Sequence, residues 1–215
     1  MIKNFLFDFD GTVADTIPGI IITLDKTRYA MDCFYDLDYA KTLIGIPLVT
    51  MGEKLCGAAR ATEFLDTYRA EYLKWGADKI SFYPGVEETL RLLKTNHLSC
   101  AVVTSKRRDS LLGNLDTLNA HDYFDVLIAK ESVDFFKPHP AAAEKALTDL
   151  NATPAETVMI GDTHYDILCG KGADLTTVGV TWGTEPEAEL IHCKPDYLVH
   201  SGRELKELCR NLAGI

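Results

Sequence analysis

The sequence is defined first by what it lacks. No apolar run approaches the ~18 residues of a membrane-spanning helix. None of the six cysteines (Cys33, Cys56, Cys100, Cys169, Cys193 and Cys209) forms a C-x-x-C pair or a zinc-like spacing. They are expected to be reduced, partly buried thiols. Positive charge is scarce, with 22 Lys and Arg against 32 Asp and Glu and a net charge of −10. That balance argues against a general nucleic-acid or anionic-membrane binder. It leaves room for a small anionic ligand met by local positive charge. Internal repeats and low-complexity tracts are missing. Met1 leads straight into an apolar stretch, without the basic and apolar regions of a secretory leader, so the expected location is cytoplasmic.

What is present is ordinary in bulk and unusual in one place. A chain of 215 residues, 47% hydrophobic and 25% charged, can hold one large domain or a domain with a smaller insert. Ile2, Phe5, Leu6 and Phe7 read as a buried strand of a parallel sheet. At its end stand Asp8 and Asp10, which leave an extended backbone on the same side. Gly11 follows, permitting a sharp bend and close approach to a ligand. Asp-Gly is also a common turn former. Two adjacent carboxylates, however, call for a cation or a shared proton.

The helical spacing of Ile17, Ile20, Ile21, Leu24 and Met31, with Pro18 in the first turn, predicts a helix. Two short helices, broken at Gly45-Ile46-Pro47, are expected over 38–57. Ala61, Phe64, Leu65, Tyr68, Tyr72 and Trp75 form one apolar face of a further helix. Residues 15–81 are therefore expected to fold as a small all-helical domain. Beyond Tyr83-Pro84-Gly85, strands at Cys100–Val103, Phe124–Ile128, Thr157–Ile160, Thr177–Val180 and Tyr197–Val199 alternate with helices. The last helix should face inward through Leu205, Leu208 and Leu212. This alternation predicts an α/β core, a Rossmann-like doubly wound parallel sheet of residues 1–14 and 82–215.

In such a sheet, ligands bind beyond the carboxyl ends of the strands. The first strand delivers Asp8 and Asp10 there. The second delivers Thr104, Ser105 and Lys106, followed by Arg107 and Arg108. Lys137 follows the third, and Gly161, Asp162 and Asp166 the fourth. A helix start beside basic side chains suits an anion, although Arg107 and Arg108 are equally at home on a solvated turn and Thr104 as a helix cap. Capping accounts for one of Asp162 and Asp166 but not both.

Asp8-Phe9-Asp10-Gly11-Thr12, Thr104, Lys137 and Gly161-Asp162 with Asp166 together resemble the four motifs of the haloacid dehalogenase superfamily, in the right order across the core. The helical insert stands where that family carries its cap domain. Val103-Thr104-Ser105-Lys106, Gly161-Asp162-Thr163 and Val180-Thr181-Trp182-Gly183 are most similar to the phosphoglycolate phosphatase and pyrophosphatase branch.

The resemblance implies a magnesium-dependent phosphatase acting on a small phosphorylated metabolite, as a monomer or homodimer. Asp8 would be the nucleophile, forming an aspartyl-phosphate, and Asp10 the general acid and base. Mg2+ would be held by Asp8, the Asp10 carbonyl, Asp162 and Asp166. Thr104, Ser105, Lys106, Lys137 and Gly11 would bind phosphate, and the cap would close over the site and select the substrate. Haloacid dehalogenases lack an acid at the position of Asp10, so its presence points to phosphoryl chemistry. A phosphomutase of the β-phosphoglucomutase type and an inorganic pyrophosphatase are the alternatives on the same scaffold.

Overall fold

A computed structural model describes residues 1–215. The chain divides into two compact units, residues 16–81 and residues 1–15 with 82–215. The short strands Ala14–Asp15 and Ser81–Phe82 pair where the chain passes from one unit to the other.

The first unit is helical: α1 (Ile17–Ala30), α2 (Leu37–Thr42), α3 (Leu48–Cys56) and α4 (Ala61–Trp75). Pro18 lies in the first turn of α1, where its missing N–H leaves no bond unmade. Asp36 caps α2, accepting the Asp38 N–H at 2.8 Å. The break between α2 and α3 is made by Gly45, at φ +105°, and by Pro47. Ile20, Leu24, Met31, Met51, Phe64 and Tyr68 form a core belonging to this unit alone. Phe64, Tyr68 and Tyr72, one turn apart, stack with ring centroids 6.0 and 6.2 Å apart.

Two expectations fail in this unit. Trp75, the last residue of α4, is 48% exposed. Its indole N–H requires a partner and donates to Glu71 Oε2 at 3.0 Å, with the Lys26 ammonium 5.2 Å from the ring centroid. Cys33 and Cys56 are not thiols but a disulfide, their Cα atoms 6.1 Å apart. They lie 23 residues apart in sequence, and only the folding of the helices on one another brings them together, which spacing cannot show. The other four cysteines are free, Cys100, Cys169 and Cys209 being buried.

The second unit is built on β1 (Asn4–Phe7), β2 (Ser99–Val103), β3 (Val126–Ile128), β4 (Thr157–Gly161), β5 (Thr176–Val180) and β6 (Tyr197–Val199). They form one parallel six-stranded sheet in the order β3-β2-β1-β4-β5-β6. Between the strands run α5 (Val86–Thr95), α6 (Arg108–Leu118), α7 (Ala141–Leu150), α8 (His164–Gly172) and α9 (Glu187–His192), and α10 (Gly202–Ala213) ends the chain. Phe5, Leu6 and Phe7 of β1 are wholly buried, as a strand covered on both faces requires. Leu6, Ala101, Val103, Ile128 and Met159 pack with Ala142, Ala143 and Ala146 of α7.

The third strand begins two residues later than the sequence pattern suggests. Asp125 gives its N–H to the Cys100 carbonyl, and its carboxylate accepts the Cys100 N–H, so backbone and side chain together hold that edge. Helix α10 is buried through Leu205, Cys209 and Ala213, with Leu208 and Leu212 half-buried on its flanks. No helix is long and apolar enough to cross a membrane. The order of strands reverses at β1, which pairs with β2 on one side and β4 on the other. The crevice beyond β1 and β4 is where this topology places a ligand.

Candidate active site

Asp8 is fixed by the sheet even though β1 has ended. Its N–H donates to the Ile160 carbonyl of β4 at 2.9 Å. The chain then folds on itself: the Phe9 carbonyl accepts the N–H groups of Val13 (3.0 Å) and Ala14 (2.9 Å), and the Gly11 N–H donates to the Ala14 carbonyl (3.0 Å). Gly11 has φ +85°, and a Cβ there would meet Asp162 Oδ2 at 2.4 Å. Its amide is thus engaged within the turn, and what it offers the site is room.

Lys137 stands between two carboxylates. Its ammonium lies 2.8 Å from Asp8 Oδ1, 2.5 Å from Asp166 Oδ1 and 3.1 Å from the Val103 carbonyl, with only 6% of the side chain exposed. Three protein acceptors match the three donors of the ammonium. The other oxygen of Asp166 accepts the N–H of Thr163 (3.0 Å) and its hydroxyl (2.7 Å), capping α8. Asp162 plays no part in that cap. Its Oδ1 accepts the Thr12 hydroxyl at 2.8 Å, and its Oδ2 accepts the Thr184 N–H at 2.7 Å and hydroxyl at 2.9 Å.

The strand-end residues of β2 divide. Thr104 is buried, and its Oγ1 accepts the Lys106 N–H at 3.2 Å. Ser105 is half-buried beside it. Lys106 turns inward, its ammonium 2.9 and 3.1 Å from the two oxygens of Asp10. Arg107 and Arg108 turn away: Arg107 pairs with Asp109 at 2.8 Å, and Arg108 donates to the Leu127 carbonyl at 3.2 Å. For these two the solvated-turn reading is the one the geometry matches.

Four neighbours escaped the reading of strand ends. Thr12 and Thr184 hold Asp162, Gly183 lies against it, and Trp182 Nε1 donates to the Thr12 carbonyl at 3.2 Å. Applied to β5, the same rule delivers the last three.

Burial sets the electrostatics. It pushes the Asp8 carboxyl up to about 8, with Asp166 and Asp162 adding to the effect and Lys137 opposing it. It pushes Asp162 up to about 6, helped by Asp166 and opposed by the Thr184 and Thr12 hydrogen bonds. Burial disfavours the charge on Lys137, but Asp166 and Asp8 reverse this and hold it above the ordinary lysine range. Were all three carboxyls ionised, as ligands of a cation would be, the one ammonium would leave two negative charges uncompensated. Asp8, Asp162 and Asp166 each present an oxygen within 4.8 Å of the others, all buried. An all-oxygen donor set with surplus negative charge fits a hard divalent cation such as magnesium.

A stability measurement tests this. Because Asp8 and Asp162 bind protons more tightly folded than unfolded, their contribution is full below about pH 4. It is lost as pH rises to about 6 for Asp162 and about 8 for Asp8. The thermal midpoint of chelated protein should fall between about pH 5 and pH 8. Millimolar magnesium should flatten that fall by holding the carboxylates ionised. Equal slopes with and without magnesium would show that magnesium does not meet these groups.

Along most of its length the chain is similar to known proteins. A family model described as haloacid dehalogenase-like hydrolase matches residues 5–180. The pyrophosphatase PpaX of Listeria welshimeri is 32% identical over 212 residues, 98% of this chain and 97% of that protein. A crystal structure described as a haloacid dehalogenase-like hydrolase of Bacteroides fragilis is 27% identical and superposes with a TM-score of 0.87, covering 95% of this chain and 100% of that one. A Haemophilus somnus structure, named for a predicted phosphoglycolate phosphatase, shares the fold at 20% identity and a TM-score of 0.85 over 96% and 97% of the two chains.

Proposed function

Since the chain belongs to the haloacid dehalogenase-like hydrolases, we propose that it is a magnesium-dependent phosphatase that cleaves a small phosphate ester through an aspartyl-phosphate on Asp8. The observation that carries this reading is the buried cluster of Asp8, Asp162 and Asp166 around Lys137, with a second carboxylate, Asp10, two residues beyond Asp8. A carboxylate held in place at a strand end can serve as a nucleophile, and a neighbour two residues on can handle the proton.

In the first step an oxygen of Asp8 attacks phosphorus and the bond to the leaving oxygen breaks. Asp10 gives its proton to that oxygen, so an alcohol departs rather than an alkoxide. In the second step water attacks the phosphorus of the acyl phosphate and gives its proton to Asp10, freeing Asp8 and inorganic phosphate. Asp8 and Asp162 would hold magnesium, with Asp166 beside them; when bound it supplies positive charge to the phosphate oxygens and lets the acidic site accept an anion. Lys137 orients Asp8 and works against the effect of burial on its carboxyl, and the buried Thr104 hydroxyl and Ser105 stand at the end of the neighbouring strand for the non-bridging oxygens.

Two substrates suit this site. Phosphoglycolate is favoured by the branch that the motifs resemble, and pyrophosphate by the name of the Listeria relative. In both, the leaving group carries its own negative charge. Lys106, at the proton donor Asp10, is the cation positioned to meet it. Purified protein should release phosphate from one of these, or from a related small ester, only with magnesium present. Protein inert toward phosphoglycolate, pyrophosphate, sugar phosphates and an aryl phosphate, with and without magnesium, would sink the reading. Transfer of phosphate within a sugar phosphate, without release, would mark a mutase instead.

A further inference from the structure

The chain just after β5 reaches back over the site and makes three separate attachments to it. Trp182 donates its indole N–H to the Thr12 carbonyl at 3.2 Å. Thr184 donates both N–H (2.7 Å) and hydroxyl (2.9 Å) to one oxygen of Asp162. Glu185 accepts the His164 N–H at one oxygen and lies 2.5 Å from His164 Nδ1 at the other, which joins this segment to the start of α8. The spacing works because of two glycines. A Cβ at Gly183 would lie 2.2 Å from both Cβ and Oδ2 of Asp162, and one at Gly11 would lie 2.4 Å from Oδ2. The Asp162 carboxylate is therefore walled between two backbones and wholly buried, with three donors on its two oxygens.

We infer that Thr184, carried by the glycine before it, is a positioning residue that sets the orientation of Asp162 for a bound divalent cation. The inference rests on the magnesium reading above. An Asp side chain has two rotatable bonds, and an unrestrained carboxylate in this pocket would turn away from its negative neighbours Asp8 and Asp166. Two hydrogen bonds from a single residue to Oδ2, opposed by the Thr12 hydroxyl on Oδ1, fix both rotations. They also favour the ionised carboxylate, because every bond it receives comes from a donor. The backbone N–H alone would constrain one direction. The hydroxyl adds the second, and it is the part that a side-chain change can remove.

The experiment uses the full chain and manganese as a paramagnetic stand-in for magnesium. Binding is read from the loss of the free-ion electron paramagnetic resonance signal, with no substrate present. Thr184→Val keeps the N–H and the shape but removes the hydroxyl; Thr184→Ser keeps both donors. Relative to wild type, Thr184→Val should bind manganese on the order of 10–100-fold more weakly, the range usual for partners of metal ligands, and Thr184→Ser should bind within about threefold of wild type. The magnesium concentration for half-maximal phosphatase activity should shift in parallel, while the thermal midpoint in chelator moves little. If Thr184→Val does not fold, Thr184→Ala carries the same measurement. Unchanged manganese affinity in the hydroxyl-less variant, or equal weakening in valine and serine variants, would overturn the inference. Wild-type protein that binds no manganese would overturn the magnesium reading itself, and the two failures are told apart by that wild-type measurement.

Discussion

Asp8→Asn is expected to take phosphate release below detection, a loss on the order of 10⁴-fold or more, while leaving the protein folded. An amide oxygen can still accept the Lys137 N–H that Asp8 Oδ1 accepts at 2.8 Å, so the local hydrogen bonding survives. What vanishes is the nucleophile. Stability should hold or rise, because burial works against the charge on Asp8 and the change removes one of three crowded carboxylates. The pairing of lost turnover with an unchanged or higher thermal midpoint separates this role from a structural one. Activity within tenfold of wild type would show that another group attacks phosphorus.

Asp10→Asn should lower turnover of an alkyl phosphate by roughly 10²–10⁴-fold, the usual contribution of a general acid and base. The two chemical steps should respond differently according to the leaving group. Nitrophenolate departs without a proton, so an aryl phosphate should still transfer its phosphoryl group to Asp8. The hydrolytic step lacks its base whatever the substrate, and phosphorylated protein should accumulate. Mass spectrometry of the acid-quenched variant should find the added phosphoryl group on Asp8. A rate change well under tenfold, with no accumulation, would remove Asp10 from the mechanism. The site itself supplies a reason for a selective response: Asp10 is paired with Lys106, whereas Asp8 is paired with Lys137. Asp10 and Asp8 meet different cations, Lys137 being shared with Asp166, and neither amide substitution removes a partner of the other.

Legibility from sequence followed whether a residue's environment is set by its neighbours in the chain. The alternation that puts Asp8 and Asp10 on one side of a strand end is local, and the structure places both at the crevice beyond β1. The break at Gly45-Ile46-Pro47 is also local, and α2 ends and α3 begins around it. By contrast, the partners of Lys106 and Arg108 depend on what lies opposite, while Arg107 turns to a residue two positions on. Lys106 finds Asp10, Arg107 finds Asp109, and Arg108 a backbone carbonyl. Nothing in the run Lys106-Arg107-Arg108 distinguishes them. The Cys33–Cys56 link and the hold of Thr184 on Asp162 are long-range in the same sense. Trp75 shows the complementary limit: its periodicity is right, but the polar end of its ring and its place at the helix terminus decide its exposure.

The placement of β1 in the middle of the sheet also orders events in time. Its partners begin at Ser99 and Thr157, so on a chain growing from the ribosome neither exists when Phe5 and Phe7 emerge. The helical segment 16–81 carries its own core, which suits it to condense early. The sheet must wait for closure of a very long loop, the slow kind of contact in folding. Throughout that wait a strand carrying Phe5, Leu6 and Phe7, all wholly buried in the folded protein, has nothing to pair with, which opens a window for misassociation. Asp8 and Asp162 lie one residue beyond the strands that close this loop, so catalytic competence should be among the last properties the nascent chain acquires.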